Sequence, residues 1–439
     1  MKIRYLLLSA LALIGSFAMG AIWVHTESWP YELLRQQREL KQAVQALARH
    51  GPFVDSQVSR LSLRSVAVGD ELSFHKRAGG IFAFEDKVLI VSEKGELALY
   101  RSLDGNPTFS RLNIELDAGY EEFEEFVASN NLNSQIMSWE YPRFIDIVYN
   151  QGSPQRSILI SHHKWHSDEK CTTLRLSKLN LQSDQLLETV SAKAADWQTI
   201  YDTQPCLKMK HKDKAFNGAT SGGRIVLESP TSALLSVGDY DYDGWNSDRI
   251  FAQDMGSDYG KILRVDLESQ KTTVVSLGHR NPQGLLIDRS GLVWSTEHGP
   301  RGGDELNIIR QDANYGWPYA TYGTKYGKHE WPLAKTQHRH AGYTRPIFSW
   351  SPSIAVSNVI QVTGFLPGWE GDLLLGSLRD LSLHRIRYRE GRAIFDESIR
   401  INYRVRDLDQ LADGTIVLWT DDANIVEIRK FEEPGASDF

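Results

Sequence analysis

Two neighbouring stretches of the chain combine residue types that bind anions and cations. The first, Gly278–Leu285, reads GHRNPQGL and places an arginine and an asparagine in a tight turn before a strand. The second, Glu297–Asn307, reads EHGPRGGDELN and ends a strand in a Gly-Pro loop followed by two adjacent carboxylates. A guanidinium matches the geometry of an anionic ligand, whereas carboxylate and carbonyl oxygens suit a hard cation such as Ca²⁺. The two stretches therefore predict a site that holds an anion and a cation side by side.

These stretches belong to an ordered series of motifs. The others are AQD at 252–254, GKILRVD at 260–266, NYGWP at 314–318, SPSIA at 351–355, FLPGW at 365–369 and RVRD at 404–407. With them the chain resembles the soluble, quinone-dependent glucose and aldose sugar dehydrogenases, the glucose/sorbosone dehydrogenase family. The resemblance covers residues 75–430 and is strongest from Asp254 onward. It implies a sugar-oxidising enzyme that uses pyrroloquinoline quinone (PQQ) and calcium.

The resemblance implies a set of residues that hold the cofactor. PQQ is a flat tricarboxylate, and guanidinium groups bind carboxylates through paired hydrogen bonds. Arg280, Arg404 and Arg406 stand where the family keeps such residues, and Asn281 adds an amide beside them. The alternative for each arginine is an ordinary surface ion pair.

The resemblance also implies calcium ligands. The family uses backbone carbonyls at the positions of Gly299 and Pro300 for the cofactor's calcium, and Asp304, Glu305 and Tyr315 correspond to a nearby structural cation region. Some members carry a further carboxylate ten residues after that tyrosine, where this chain has Lys325. The alternative for Asp304 and Glu305 is a turn that caps the next strand.

The chain departs from the family where the chemistry is done. The family base is a histidine just before a Gly-Arg-aliphatic strand, and histidine suits proton transfer because its pKa lies near neutrality. Here that position falls on Thr220, in NGATSGGRI at 217–225, and threonine is no base at neutral pH. The family's quinone-contacting lysine aligns with Arg379, which keeps the charge but is bulkier. His298, beside the Gly-Pro loop, is a candidate for a relocated base, as are His162, His163, His166 and His211.

The elements that must position these residues are predicted to be short strands. From about residue 66 onward, apolar runs of four to six residues alternate with turn signals, and they fall into six groups of three or four strands. This spacing favours an all-β fold, a six-bladed β-propeller over residues 66–432, with the site at the mouth of its channel. The acidic and aromatic stretch 117–140 is predicted to be an inserted loop or short helix. A pair of β-sandwiches is the alternative.

The N-terminus predicts export. Lys2 and Arg4 precede twenty uncharged residues, Tyr5 to Val24, which is long enough to span a bilayer. Residues 1–24 are therefore predicted to be a transmembrane signal-anchor, with a cleaved signal peptide as the alternative. Residues 25–65 are predicted to be a helical spacer, and a short dimeric coiled coil within 30–49 is the second reading.

Composition restricts the partners. The net charge is −7 and no long basic block occurs, so nucleic acid is not an expected partner. The two cysteines, Cys171 and Cys206, favour a disulfide in an oxidising compartment, with two buried thiols as the alternative.

Two functions of different classes remain open from the sequence. The first is a periplasmic, membrane-anchored aldose dehydrogenase that oxidises the C1 hydroxyl of a sugar and passes electrons to a respiratory acceptor. The second is a catalytically degenerate propeller that binds a carbohydrate or a protein partner without turnover. The arginines and the Gly-Pro loop favour the enzyme, whereas Thr220 favours the binding protein.

Overall fold

A computed structural model of the protein describes residues 53–57, 59–68, 79–103, 106–132, 141–152, 155–182, 185–211, 214–215, 218–336 and 338–431. All of them lie in one compact unit, Pro52–Phe439. The predicted anchor at 1–24 and most of the predicted spacer lie outside the described residues. Within the described ranges, no helix is both long and apolar enough to cross a membrane.

Six sheets of four or five strands form the described fold, antiparallel except for one parallel pair in the third sheet, which confirms the predicted six-bladed propeller. Each of the six predicted groups supplies one blade. The strands are, for blade 1, β3–β6 (Gly80–Phe84, Lys87–Val91, Leu97–Leu103, Asn106–Arg111); for blade 2, β8, β9, β10, β12 and β13 (Phe144–Asn150, Ser157–His166, Cys171–Asn180, Gln198–Asp202, Leu207–Lys208); for blade 3, β16–β19 and β23 (Gly222–Ser229, Ser232–Val237, Lys261–Asp266, Thr272–Leu277, Ala313–Asn314); for blade 4, β20–β22 and β24 (Pro282–Ile287, Val293–Glu297, Asp304–Ile309, Phe348–Trp350); for blade 5, β25–β28 (Val356–Gln361, Leu373–Ser377, Ser382–Arg389, Arg392–Arg400); and for blade 6, β29–β31, β2 and β1 (Val405–Gln410, Ile416–Thr420, Asn424–Lys430, Arg60–Ala67, Phe53–Asp55).

The first strands of the blades line a central channel. These inner strands contact one another in a closed ring, in the order β3, β8, β16, β20, β25, β29 and back to β3. Alternation of apolar and polar residues along each strand buries one set of side chains between adjacent blades. Trp165, Trp294 and Trp419 are among the largest fully buried side chains of this core.

Blade 6 is built from both ends of the domain. Strand β2 pairs antiparallel with β31, from Leu61 opposite Lys430 to Ala67 opposite Asn424. The sequence placed the start of the propeller at residue 66 and residues 25–65 in a helical spacer, and for 53–55 and 60–65 this prediction is wrong. Those residues are strand because Leu61 is buried in the core of blade 6.

Smaller elements decorate the blades. Helix α1 (Tyr120–Ser129) lies within the stretch predicted to be a loop or short helix, and it buries Phe123 against Trp165. Two-stranded ladders join β7 (Asn113–Ile114) to β11 (Ser191–Ala192) and β14 (Lys210–His211) to β15 (Lys214–Ala215). Short 3-10 turns include Leu187–Thr189, Ala194–Asp196, Gly218–Thr220, Phe251–Gln253 and Pro367–Trp369.

The two cysteines form a disulfide, as predicted. Cys171 begins β10 and Cys206 immediately precedes β13, with their Cα atoms 5.6 Å apart. The bond closes a loop across the outer part of blade 2.

A buried charged layer crosses the channel two residues below the start of the inner strands. We call this layer the channel floor and define it as Asp146, Arg224, Asn358, Asp407 and Asp409; the first four are each the third residue of an inner strand. The guanidinium of Arg224 bonds Asp146 at 2.9 Å and Asp407 at 2.6 Å. Asn358 donates to Asp407 at 2.7 Å.

The channel floor reaches all six blades. Arg224 also donates to the carbonyls of Gln283 in blade 4 and Arg406 in blade 6, both at 2.9 Å. Asp407 and Asp409 accept the amides of Ile81 and Ala83 in blade 1, at 2.9 and 2.6 Å. Asp146, Arg224 and Asp407 are almost completely buried, and Asn358 and Asp409 are partly buried, so the floor fills the channel beneath the mouth.

Candidate active site at the channel mouth

The mouth is the end of the channel where the inner strands begin. We use the word for Thr220, Arg280, Asn281, His298, Arg404 and Arg406 together with the Gly299–Pro300 loop. Each of these residues either precedes or begins an inner strand or follows a second strand, and in a propeller those positions meet at one face.

Arg280 lies between the Gly-Pro loop and an aromatic wall. Its Nη1 donates to the carbonyls of His298 at 3.3 Å and Gly299 at 3.1 Å. The guanidinium lies 5.4 Å from the centre of the Trp317 ring, within range for a cation–π contact. Asp241 is 4.0 Å away, too far for a close ion pair. The Nε of Arg280 is buried and has no hydrogen-bond acceptor among the described residues.

Arg404 and Arg406 share a single carboxylate. Asp421 accepts a 2.9 Å bond from the Nε of each arginine. Burial raises the pKa of the Asp421 carboxyl, but the two guanidinium groups outweigh it, and the pKa is lowered overall. The pair therefore carries one net positive charge at neutral pH.

Asn281 joins the turn that carries Thr220 to His298. Its Nδ2 lies 3.5 Å from the carbonyl oxygen of Ala219 and 3.5 Å from Nδ1 of His298. The ring nitrogen of His298 is therefore within 7.0 Å of the residue next to Thr220, because two 3.5 Å contacts in series cannot span more. The hydroxyl of Thr220 is buried and has no partner in the described part of the chain.

The hydrogen bond of the second ring nitrogen of His298 shows which nitrogen carries the hydrogen. Nε2 lies 2.6 Å from the carbonyl oxygen of Val356, so it must carry the hydrogen, and Nδ1 is left with a lone pair. Burial lowers the pKa of His298; Asp304 opposes this, whereas Arg280 and Arg406 lower the pKa further. The imidazole is therefore neutral near pH 7.

Asp304 holds the Gly-Pro loop in place. Its carboxylate accepts the amide of Gly299 at 3.0 Å and the amides of Ala355 and Val356 at 2.6 and 3.4 Å. These bonds tie the loop to the start of blade 5. Pro300 is buried against Gly323.

Glu305 lies beneath the loop beside a histidine. Its Oε1 is 3.2 Å from Nε2 of His340, whose Nδ1 is 3.2 Å from the carbonyl of Thr344. Burial lowers the pKa of His340, but Glu305 raises it more, because both ring nitrogens face acceptors. The hydroxyl of Tyr315 donates to the carbonyl of Ile308, at the far end of β22.

At the predicted cation site, Glu305 pairs with His340 and Glu297 pairs with His279, but no third carboxylate or histidine of the described residues joins either pair closely enough to share a metal ion. Among the described residues, the one group of three potential metal ligands is Glu169 with the disulfide-bonded Cys171 and Cys206. A cation at the mouth would therefore depend on backbone carbonyls such as those of Gly299 and Pro300.

The remaining candidates have other partners. Arg379 is exposed on the blade 5 loop and donates to the carbonyl of Ser353 at 3.3 Å. His162 is stacked on Phe144, and burial lowers its pKa to about 4. His163 is bonded to the Tyr240 hydroxyl at 3.1 Å. His166 is bonded to Thr173 at 3.0 Å, and the side chain of His211 is outside the description.

Two residues of the mouth escaped the sequence reasoning. Asp421 follows β30, and its amide donates to the carbonyl of Arg404 at 3.0 Å. A carboxylate at the end of the strand that pairs with the arginine strand could have been identified in the sequence. Trp317 is part of a quoted motif, but its role as the wall against Arg280 needed the fold. Its indole NH is anchored by Asp239 at 2.6 Å.

A six-bladed propeller whose mouth carries arginines, an asparagine and a Gly-Pro loop is the arrangement that the resemblance to the glucose/sorbosone dehydrogenases implies. The family model for Glucose / Sorbosone dehydrogenase matches residues 144–427. The chain therefore belongs to the glucose/sorbosone dehydrogenase family.

Individual relatives share part of the chain. The aldose sugar dehydrogenase YliI of Escherichia coli is 31% identical over 254 residues, which are 53% of this chain and 63% of that protein. The uncharacterised protein slr1608 of Synechocystis is 34% identical over 53% of this chain and 59% of its own length. Quinoprotein glucose dehydrogenase B of Acinetobacter calcoaceticus is 27% identical over 41% and 54%. The chain thus spans less than two thirds of the length of these curated relatives.

Solved structures share the fold. The apo-form soluble aldose sugar dehydrogenase of Escherichia coli superposes with a TM-score of 0.64 at 23% identity, covering 84% of this chain and all of that one. The PQQ-bound aldose sugar dehydrogenase of Streptomyces coelicolor gives 0.55 at 19% identity, covering 84% and 98%.

Proposed function

We propose that the protein is an exported, PQQ- and calcium-dependent dehydrogenase that oxidises the C1 hydroxyl of an aldose sugar. The observation that carries the proposal is the mouth itself. Among the described residues, Arg404 and Arg406 share the carboxylate of Asp421, whereas Arg280 has two carbonyls as close partners and a carboxylate no nearer than 4.0 Å. Such a surplus of guanidinium donors suits a ligand with several carboxylates.

The residues present fit the cofactor as an anion. The unpartnered Nε of Arg280 and the flat Trp317 wall offer a donor and a stacking surface for a planar carboxylate-bearing ring. Asn281, Arg404 and Arg406 would complete the cradle, and the carbonyls of Gly299 and Pro300 would hold calcium. When bound, PQQ supplies the two-electron acceptor for the sugar.

The chain's own contribution to the chemistry is the removal of a proton from the C1 hydroxyl. We assign this role to His298, whose neutral ring turns the Nδ1 lone pair toward Asn281 and lies within 7.0 Å of the Ala219 carbonyl. Thr220 would then serve as a hydrogen-bonding group at the position of the family base. The Arg379 side chain is exposed and donates to the carbonyl of Ser353.

Export is supported by the disulfide, because such bonds persist in oxidising compartments. Anchoring of the protein to the inner membrane through residues 1–24, electron transfer to a respiratory acceptor, and pairing of two chains through residues 30–49 remain part of the proposal.

The test is a titration of the purified full-length protein with PQQ and Ca²⁺, followed by absorbance, and then addition of aldoses with a dye acceptor. Saturable binding and sugar-dependent dye reduction are expected. His298→Gln should keep the binding and lower turnover by about 10²–10⁴, the usual contribution of a general base. Binding without turnover would leave the non-catalytic propeller, and no binding would refute the proposed cofactor.

A further inference from the structure

Beside the mouth, an exposed indole lies against two lysine side chains. Trp245 is 42% exposed, an unusual position for the largest apolar side chain. The Nζ of Lys325 is 3.6 Å from the centre of its ring and the Nζ of Lys328 is 5.3 Å away. Neighbouring Tyr326 is 75% exposed. We call Trp245, Lys325, Tyr326 and Lys328 the rim.

Hydrogen bonds within each segment hold the rim in shape. Asp243 is buried and accepts the amide of Trp245 at 2.9 Å and that of Asn246 at 2.7 Å. The amide of Lys328 bonds the carbonyl of Lys325 at 3.0 Å, so a turn places both lysines on the same side. The aromatic ring and the ammonium groups are therefore presented together before any ligand arrives.

The rim is connected to both sides of the mouth. The loop that carries Trp245 passes Asp241, which is 4.0 Å from Arg280. Trp245 is four positions after Asp241, so their Cα atoms are at most about 15 Å apart. On the other side, Thr324 forms an isolated bridge with Arg301 in the Gly-Pro loop. A ligand of two or three sugar units that starts in the mouth would reach the rim.

The charge of this segment is opposite to that of the chain. Residues 315–346 contain five lysines and arginines and one acidic residue, whereas the whole chain has a net charge of −7. The loop that carries Trp245, residues 238–260, has six aspartates and one arginine, and Asp239 and Asp243 are buried, so the basic charge of the rim is confined to Lys325 and Lys328. Among the described residues, Arg301 and Lys328 make no ion pair that would neutralise them.

We propose that the rim is a saccharide subsite that binds a uronic acid unit of an acidic oligosaccharide. Because the Nζ of Lys325 lies over one face of the indole, the C–H face of a pyranose ring would pack on the other face, and the ammonium groups of Lys325 and Lys328 would bind the C6 carboxylate. The inference deepens the proposed function, because it supposes that the neighbouring sugar unit enters the mouth. Binding to the rim itself requires no turnover.

The experiment uses the full-length protein without added cofactor and measures binding of trigalacturonic acid by calorimetry. Its fully methyl-esterified form is the matched probe, because esterification removes the charge and keeps the sugar. The acid should bind at least tenfold more tightly than the ester, and the difference should shrink as salt is raised. Trp245→Ala should weaken binding of both probes about tenfold.

Variants at the two lysines separate charge from fold. Lys325→Gln with Lys328→Gln should remove the preference for the acid and leave the affinity for the ester unchanged. Lys271→Gln, in the turn between β18 and β19 at the other face of blade 3, is the matched control and should change neither. Equal binding of acid and ester, or no binding of either, would overturn the subsite. PQQ-dependent oxidation of a neutral aldose together with either of those results would keep the proposed function and reject this inference alone.

Discussion

The channel floor and the mouth both place arginines at the centre of the propeller, at successive levels of the channel, yet the hydrogen-bond partners of these arginines differ. In the floor, Arg224 faces Asp146 and Asp407 and two carbonyls, and every contact is 2.6–2.9 Å. In the mouth, Arg280 has two carbonyls at 3.1 and 3.3 Å and a carboxylate at 4.0 Å. The Arg280 Nε and the Thr220 hydroxyl have no partner in the described structure.

The difference separates a structural arginine from a ligand-binding one. An arginine whose hydrogen bonds are all made within a buried ion pair has no donor left to bind a ligand. Donors that have no partner at the mouth can still form hydrogen bonds with a ligand. The contrast predicts that substitutions in the floor change stability, whereas substitutions in the mouth change binding.

The largest expected effect is that of Arg224→Met. The change leaves Asp146 and Asp407 buried without their cation, and breaking a buried pair in this way costs about 3–5 kcal/mol of unfolding free energy. Chemical denaturation followed by tryptophan fluorescence measures it. Arg264→Met is the matched control in blade 3, because Arg264 forms an exposed pair with Glu228, and it should cost less than about 1 kcal/mol. Equal effects of the two substitutions would remove the distinction between floor and surface.

The second prediction concerns pH. Burial raises the pKa of Asp409 to about 7, despite the amides of Ala83 and Gln410 that oppose it. The folded protein therefore keeps a proton between about pH 4 and 7 that the unfolded chain releases, so this group's contribution to stability falls as pH rises through that window. Asp409→Asn removes this titration, so the difference in unfolding free energy between the variant and the wild type should change by about 1–3 kcal/mol across that pH window. Parallel stability curves for the two proteins would contradict the prediction.

The third prediction moves to the mouth. Arg280→Gln should weaken PQQ binding about 10–100-fold, the value of one charge-assisted hydrogen-bonding group, and change the unfolding free energy by less than about 1 kcal/mol. Arg289→Gln is the control, since that arginine forms an exposed pair with Glu370 at the other end of β20. A loss of stability comparable to that of Arg224→Met would make Arg280 a second structural arginine.

The smallest effect is expected at a pair of buried threonines. Thr220→Val removes a hydroxyl that has no partner and should leave stability unchanged or raise it by up to about 1 kcal/mol. Thr203→Val removes one that accepts the amide of Leu174 and donates to Tyr259, so it should cost about 1–3 kcal/mol. Thermal unfolding of both variants checks the order, and a reversed order would show that Thr220 is satisfied in the folded protein.

Much of the fold could be predicted from local pattern, because apolar alternation and turn residues repeat blade by blade. The start of the domain could not. Residues 60–65 become strand because β31, more than 350 positions later, offers them an edge, and residues 53–55 pair in turn with β2. Periodicity within a window has no access to a partner at that distance.

The site could be predicted only where motifs carry it. Arg280, Asn281 and His298 are close in sequence and remain close in space. Asp304 carries a carboxylate that looks free in the sequence, but the fold commits it to three backbone amides. The channel floor escaped notice because its members lie on separate blades and only the closed ring brings them together.

The pairing of β2 with β31 also orders the events of folding. Leu61 and Lys430 are far apart along the chain, so their pairing must follow the synthesis of the last blade. The bond between Arg224 and Asp407 crosses the channel between blades 3 and 6, which are not adjacent in the ring. Ring closure therefore both joins the ends and completes the floor, and a chain that stops before β31 would lack the edge strand on which its first residues fold.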